Sequence, residues 1–211
     1  SKILDETQGE KPDYIWRSSL KSIFGHEDFY SFQKQILNQC YDGKSGLVDF
    51  YTGAGKSLIF QFYSILKPGM TIVLVPLISL MIDQIKKIPR EIPGLCYNSW
   101  VPFTHRSRVF NLIKDNKVKI LFVTPELFVS DIAWRLILYQ TKINLICIDE
   151  AHCISEASHS FRHSYSFLND YINLLNSPEA LELGDEYFAV NINSDSEKEE
   201  YGEKTEEKPA K

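Results

Sequence analysis

No apolar run in the 211 residues approaches the ~20 consecutive positions a membrane-spanning helix needs, and no signal-peptide pattern opens the chain. Neither membrane insertion nor secretion is therefore expected. Cysteine is scarce: Cys40, Cys96, Cys147 and Cys153 are scattered, without a Cys-x-x-Cys pair. That spacing indicates neither a zinc site nor a disulfide framework, and it leaves small buried thiols in a reducing compartment as the expectation. An excess of basic charge is missing too. The formal net charge is −5, whereas a protein that coats a nucleic-acid duplex is usually basic. Much of the deficit is local, because Ser194–Lys211 holds seven acidic and four basic residues and the rest of the chain is near −2. A basic groove on the body is compatible with these numbers, so net charge alone decides nothing.

What the sequence does have is alternation of short strands and helices. A polar leader spans residues 1–11. Pro12–Asp13 then opens a helical pattern through Tyr14, Ile15, Leu20, Ile23 and Phe24 that stops at Gly25, and a second helix is expected around Phe29–Tyr41. Apolar, partly β-branched runs follow at Leu47–Phe50, Thr71–Val75, Val118–Val123 and Ile143–Ile148, with helical stretches at Lys56–Leu66, Leu77–Ile88 and Leu127–Tyr139. This order predicts an α/β fold, a mostly parallel sheet with helices on both faces. The main domain is read as residues 12–176. Residues 177–211 are read as an acidic, largely disordered tail with one short helix over Ser177–Leu183, because Asn191–Lys211 has too few apolar residues to offset its ordering entropy.

Two motifs carry chemistry. Thr52-Gly53-Ala54-Gly55-Lys56-Ser57 lies between an expected strand and an expected helix, the setting of a phosphate-binding loop. Glycines let the backbone curl so that its N–H groups face phosphates, and the helix N-terminus adds its dipole. Lys56 would neutralise the β- and γ-phosphates of ATP, and the Ser57 hydroxyl would hold Mg²⁺. Where the usual first glycine of this loop stands, the chain has Phe50. A bare glycine-rich turn is the plainer alternative, which the strand–loop–helix setting disfavours. The second motif, Asp149-Glu150-Ala151-His152, ends the apolar strand Ile143–Ile148. Active groups of open α/β sheets collect at the carboxyl ends of strands, on the rim that bears the loop. Asp149 would bind Mg²⁺ and Glu150 would polarise the attacking water. His152 stays open: a lone histidine is usually structural, yet beside a metal carboxylate it suits a γ-phosphate sensor or a link to a partner surface.

With these motifs in hand, the chain from about Ile15 to Tyr171 resembles the first RecA-like lobe of a superfamily 2 helicase of the RecQ family. Phe24-Gly25-His26-Glu27-Asp28-Phe29-Tyr30-Ser31-Phe32-Gln33 is similar to the family's adenine-recognition motif, with Gln33 at the adenine-reading glutamine, Tyr30 in place of an arginine and His26 in place of an aromatic. Val75-Pro76-Leu77-Ile78-Ser79-Leu80-Met81-Ile82-Asp83-Gln84 resembles a family-specific block beside the DNA strand, and Thr124-Pro125-Glu126 a turn near the nucleic-acid backbone. Cys153–Tyr165 resembles the aromatic-rich loop that couples DNA contact to ATP hydrolysis, and its Ser-His-Ser-Phe-Arg form leans toward the Rothmund–Thomson-type branch. Within that loop Ala157, Ser160 and His163 replace the family's tryptophan, aspartate or asparagine, and proline.

The resemblance implies an ATP- and Mg²⁺-dependent 3′-to-5′ DNA helicase, monomeric and nuclear, acting on single-stranded or forked DNA. It places Ser79, Thr124, Pro125, His159, Phe161 and Arg162 at the DNA or in coupling. No T-A-T-A-like segment follows the loop, and the second RecA-like lobe, source of an arginine finger typically worth about 10³–10⁵ in rate, is not in these 211 residues. This chain alone is expected to hydrolyse ATP slowly and not to unwind duplex. Two other readings stand beside it: a degenerate, non-catalytic binding module, motivated by Phe50, Tyr30 and Ala157, and a lobe of a DEAD/DEAH RNA helicase.

Overall fold

Apolar strands that alternate with helices assemble here into one six-stranded sheet in which every pairing is parallel. The computed structural model describes residues 13–51, 53–130, 140–150 and 189–193. In chain order the elements are α1 (Asp13–Ser19), which continues as a π-helical turn over Leu20–Phe24, α2 (Ser31–Tyr41), β1 (Gly46–Asp49), α3 (Lys56–Leu66), β2 (Met70–Leu74) and α4 (Ile78–Lys86). Next come β3 (Gly94–Tyr97), α5 (Phe103–Lys114), β4 (Ile120–Val123), α6 (Pro125–Ser130), β5 (Ile143–Asp149) and β6 (Ala189–Asn193). Across the sheet the strands run β1-β6-β5-β2-β4-β3.

The central strands are buried on both faces, as their unbroken apolar runs require. Side chains of a strand alternate between faces, and two cores divide accordingly. Val73, Val75, Ile120, Phe122, Leu145 and Cys147 pack with α1, α2 and α3 on one side. Ile72, Leu74, Leu121, Val123, Ile146 and Ile148 pack with Val109 and Ile113 of α5 on the other. The first core is aromatic: the Phe62 ring meets Phe29 edge-on at 4.8 Å and Trp16 at 6.1 Å. Such pairs add about 0.5–1.5 kcal/mol each beyond burial, which ties the N-terminal helices to the sheet through α3.

Three elements depart from the sequence reading. β3 and α5 fill a stretch to which it assigns nothing. β6 lies within residues 177–211, read as largely disordered, so that reading is corrected at Ala189–Asn193. This segment pairs with β1 on one side (Gly46↔Val190, Asp49↔Asn193) and with β5 on the other (Ile146↔Ala189, Asp149↔Ile192). A strand paired on both sides draws hydrogen bonds from two neighbours, so a five-residue segment holds in the sheet where an isolated one would not. The expected leader at 1–11, the helix over Ser177–Leu183 and the latter part of Leu127–Tyr139 lie outside the described residues.

Candidate functional site

The carboxyl ends of β1 and β5, with β6 between them, form the rim on which the two motifs meet. After β1 the chain turns through Gly53 (φ 89°) and Gly55 (φ 83°), both left-handed, and enters α3 at Lys56. Glycine at position 55 meets the left-handed backbone conformation, and a side chain there would put its Cβ 2.7 Å from Gln33 Nε2 and push that amide aside. No side chain caps the N-terminus of α3. Its first N–H groups therefore keep their affinity for an anion, with the dipole of an eleven-residue helix behind them. The Lys56 ammonium donates to the Phe50 carbonyl across the loop, while Ser57 helps line a cavity of about 340 Å³ with Phe24, His26, Gln61 and Lys87.

Gln33 is buried and locked to this loop. Its Nε2 donates to the Gly55 carbonyl at 2.9 Å, and its Oε1 accepts from the Tyr30 backbone N–H at 3.0 Å. One amide proton and one lone pair remain for a ligand edge. Phe50, the residue in place of the loop's usual first glycine, stacks on Phe32 with centroids 4.1 Å apart, and Tyr30 stacks on the same ring at 6.1 Å. The two sequence departures thus join one aromatic stack beside Gln33.

At the end of β5, Asp149 is 8% exposed. Burial pushes its carboxyl up to about 6, and the Glu150 charge adds to the rise. The Glu150 backbone N–H, the Gln84 amide and the Lys56 charge act against it. Glu150 sits at φ 54°, a left-handed conformation costing a non-glycine residue about 1 kcal/mol or more. Its backbone N–H reaches back to Asp149 Oδ1 at 3.1 Å, so the strained turn also orients the carboxylate.

Gln84, at the end of the Val75–Gln84 block, is the site residue the sequence does not disclose. Its Nε2 donates to Asp149 Oδ2 at 2.7 Å, and its Oε1 is buried without a hydrogen-bond partner. A helix that begins at the exposed Ser79 end thereby grips the candidate metal carboxylate. Thr124 and Pro125 are buried where β4 passes into α6, and the Thr124 carbonyl accepts from the Phe128 N–H at 3.0 Å. Thr52, His152, His159, Phe161 and Arg162 lie outside the described residues. The described cysteines Cys40, Cys96 and Cys147 are free thiols; burial pushes the first up to about 12 and the second to about 11.

Among the described residues, no three His, Cys, Asp or Glu side chains gather into a metal site. A lone carboxylate beside a phosphate loop suits Mg²⁺, which takes one or two carboxylates, substrate phosphates and waters. The unpartnered Gln84 Oε1 offers an acceptor for such a water.

The DEAD/DEAH box helicase family matches residues 30–180. The chain is 38% identical over 160 residues to the ATP-dependent DNA helicase RecQ of Haemophilus influenzae, covering 75% of this chain and 25% of that protein. It is 36% identical to the ATP-dependent DNA helicase Q-like 5 of Arabidopsis thaliana (69% and 16% covered) and 36% identical to the human ATP-dependent DNA helicase Q4 (67% and 12%). The chain thus spans a quarter or less of the length of these relatives. In fold it is similar to the DUF1998 helicase MrfA bound to DNA, with a TM-score of 0.66 at 14% identity, covering 89% of this chain and 27% of that one. A second likeness is to the helicase Lhr of Mycobacterium smegmatis bound to single-stranded DNA and AMP-PNP, TM-score 0.61 at 18% identity (86% and 24%). From the matched residues, the chain belongs to the DEAD/DEAH box helicase family, and the relatives it resembles are RecQ-type DNA helicases.

Proposed function

We propose that this chain is the ATP-binding lobe of a RecQ-like, ATP-dependent 3′-to-5′ DNA helicase whose second RecA-like lobe lies elsewhere in the full-length protein. The observation that carries the reading is that the loop leading into α3 at Lys56 and the end of β5 at Asp149 lie on the same carboxyl rim of one parallel sheet. The lobe runs to at least Asn193, since β6 belongs to its sheet. Thr52, Gly53, Ala54, Gly55 and Lys56 would wrap the phosphates, and Gln33 would meet the adenine edge with its remaining amide proton and lone pair. Ser57 and Asp149 would hold Mg²⁺, which supplies charge neutralisation of the phosphates when bound. Glu150 would orient the water for in-line attack, and His152 would link the γ-phosphate to the coupling loop. Ser79, Thr124, Pro125, His159, Phe161 and Arg162 would lie along single-stranded or forked DNA. A monomeric state and a nuclear location belong to the same proposal.

The test is ATP turnover with and without single-stranded DNA, on this chain and on a protein extended through the second lobe. The extended protein is expected to show DNA-stimulated turnover that Lys56→Ala or Glu150→Gln abolishes. Absence of any such turnover would leave the non-catalytic binding module, the reading that Phe50 at the first loop position favours. Stimulation by single-stranded RNA in preference to DNA would move the assignment to an RNA helicase.

A further inference from the structure

Beyond the residues already assigned to DNA, we propose that Trp100 and Phe103 form a base-stacking platform for single-stranded DNA at the outer end of the sheet's carboxyl rim, served by Arg106 and Arg108. The proposal rests on the helicase reading but on different residues. Among the described residues seven large apolar side chains are left exposed; Tyr14, Tyr30 and Leu47 lie elsewhere, and the other four gather on one rim. Tyr51, Leu77, Trp100 and Phe103 all come just after the carboxyl ends of strands β1, β2 and β3, at 67%, 56%, 71% and 84% exposure. Trp100 and Phe103 are the most exposed of these four, and they stand three residues apart where β3 passes into α5. Single exposed apolar residues need no explanation, but a run of them along one rim marks a binding surface.

Local structure holds the platform out instead of letting it fold inward. Asn98 is buried, with its Nδ2 against Met81 Sδ at 3.6 Å, and its Oδ1 accepts from the Trp100 N–H at 2.9 Å. Its carbonyl accepts from the Val101 N–H at 3.1 Å. This turn fixes the backbone under Trp100. Pro102 then starts α5 and puts Phe103 in the first helical position. The Arg106 guanidinium lies over the Phe103 and Tyr97 rings, 5.9 and 6.0 Å from their centroids, so it is aimed before any ligand arrives.

Charge selects the ligand. The chain has 28 acidic residues, yet none falls between Ile92 and Lys114, where His105, Arg106 and Arg108 lie. β4 brings the exposed Glu126 to the neighbouring part of the rim, where the two guanidinium groups outweigh it. Exposed flat rings interleaved with cations, on a segment that carries no carboxylate of its own, suit a polyanion with unpaired bases; duplex bases are already stacked. Strand order places this platform two strands beyond the start of α4, with Thr124–Pro125 between. A single strand following the rim from Ser79 past Thr124 would reach it.

The experiment measures binding of fluorescein-labelled dT20 to the intact chain by anisotropy, across a range of salt concentrations. Trp100→Ala with Phe103→Ala is expected to weaken binding at least ten-fold with the salt slope unchanged, since stacking carries no counterions. Trp100→Phe should restore most of that affinity, and Arg108→Ala should lower the salt slope by about one. Binding of the double variant within two-fold of the parent overturns the platform while leaving the helicase reading intact. The same outcome accompanied by loss of self-association in sedimentation would identify the face as a protein contact. Failure of the parent chain to bind dT20 at low salt overturns both the platform and the DNA assignment, and tighter binding of rU20 overturns the choice of DNA. Binding of a fluorescent ATP analogue, measured alongside, reports on the nucleotide site independently of all of these.

Discussion

Above about pH 6 Asp149 is ionised in surroundings that favour its protonated form. Its ordinary value of 3.8 is raised in the folded state, so the charge costs stability at neutral pH, by up to about 3 kcal/mol. That cost fades as pH falls from about 6 toward 3.8 and is absent below. Asp149→Asn is therefore expected to raise the thermal midpoint at pH 7.5 by roughly 5–10 °C and to give little gain at pH 4. Thermal scans at the two pH values check this, and an Asn variant no more stable at pH 7.5 refutes it. Catalysis should show the other side of the same shift, falling as pH drops through 6 because the carboxylate is lost. Gln84 belongs to this scale too. Gln84→Ala should raise the Mg²⁺ concentration needed to support binding of a fluorescent ATP analogue about ten-fold or more, as loss of a group that orients a metal ligand commonly does. Binding of the same analogue in EDTA should not change, which separates a positioning role from collapse of the loop.

The phosphate loop makes a paired prediction at the level of elements. Gly53 and Gly55 share a left-handed backbone, but a Cβ at Gly53 meets open space whereas one at Gly55 meets the Gln33 amide. Gly53→Ala should cost about 1–2 kcal/mol of backbone strain in urea unfolding. Gly55→Ala should cost more and should also break the hydrogen bond from Gln33. How legible such elements are in sequence depends on where their information lies. β2, β4 and β5 announce themselves because burial on both faces demands continuous apolar runs, and the loop and Asp149–Glu150 because their chemistry fixes residue type and spacing. β3 is an edge strand with only Tyr97 buried, and α5 buries just Val109 and Ile113, so neither leaves a firm periodicity. β6 is five residues in a polar stretch, chosen by its two neighbours in the sheet and not by its own composition. The grip of Gln84 on Asp149 joins positions 65 apart and appears only when α4 is laid on the sheet.

For the molecule as a whole, the order of the sheet decides which parts depend on which. Among the described residues β1 pairs with β6 alone, so β6 is what joins the phosphate-loop strand to the carboxylate strand. Asn191→Pro, which removes a donor from the middle of that strand, should speed amide hydrogen exchange in β1 and β5 while leaving β3 and β4 protected. Uniform loss of protection would mean the sheet opens only as one unit. A consequence follows for synthesis. Gly46 and Val190 are partners 144 positions apart, and at ~5–20 residues per second β6 is made roughly 7–30 s after β1. Late in that interval, once Asp149 is made, the chain holds its loop glycines, Lys56 and Asp149, but the strand that sets them in register has not been translated. A ribosome-bound chain that ends before Asn193 should therefore be unable to retain nucleotide, and the capacity to bind it would arise late and abruptly as the nascent protein lengthens.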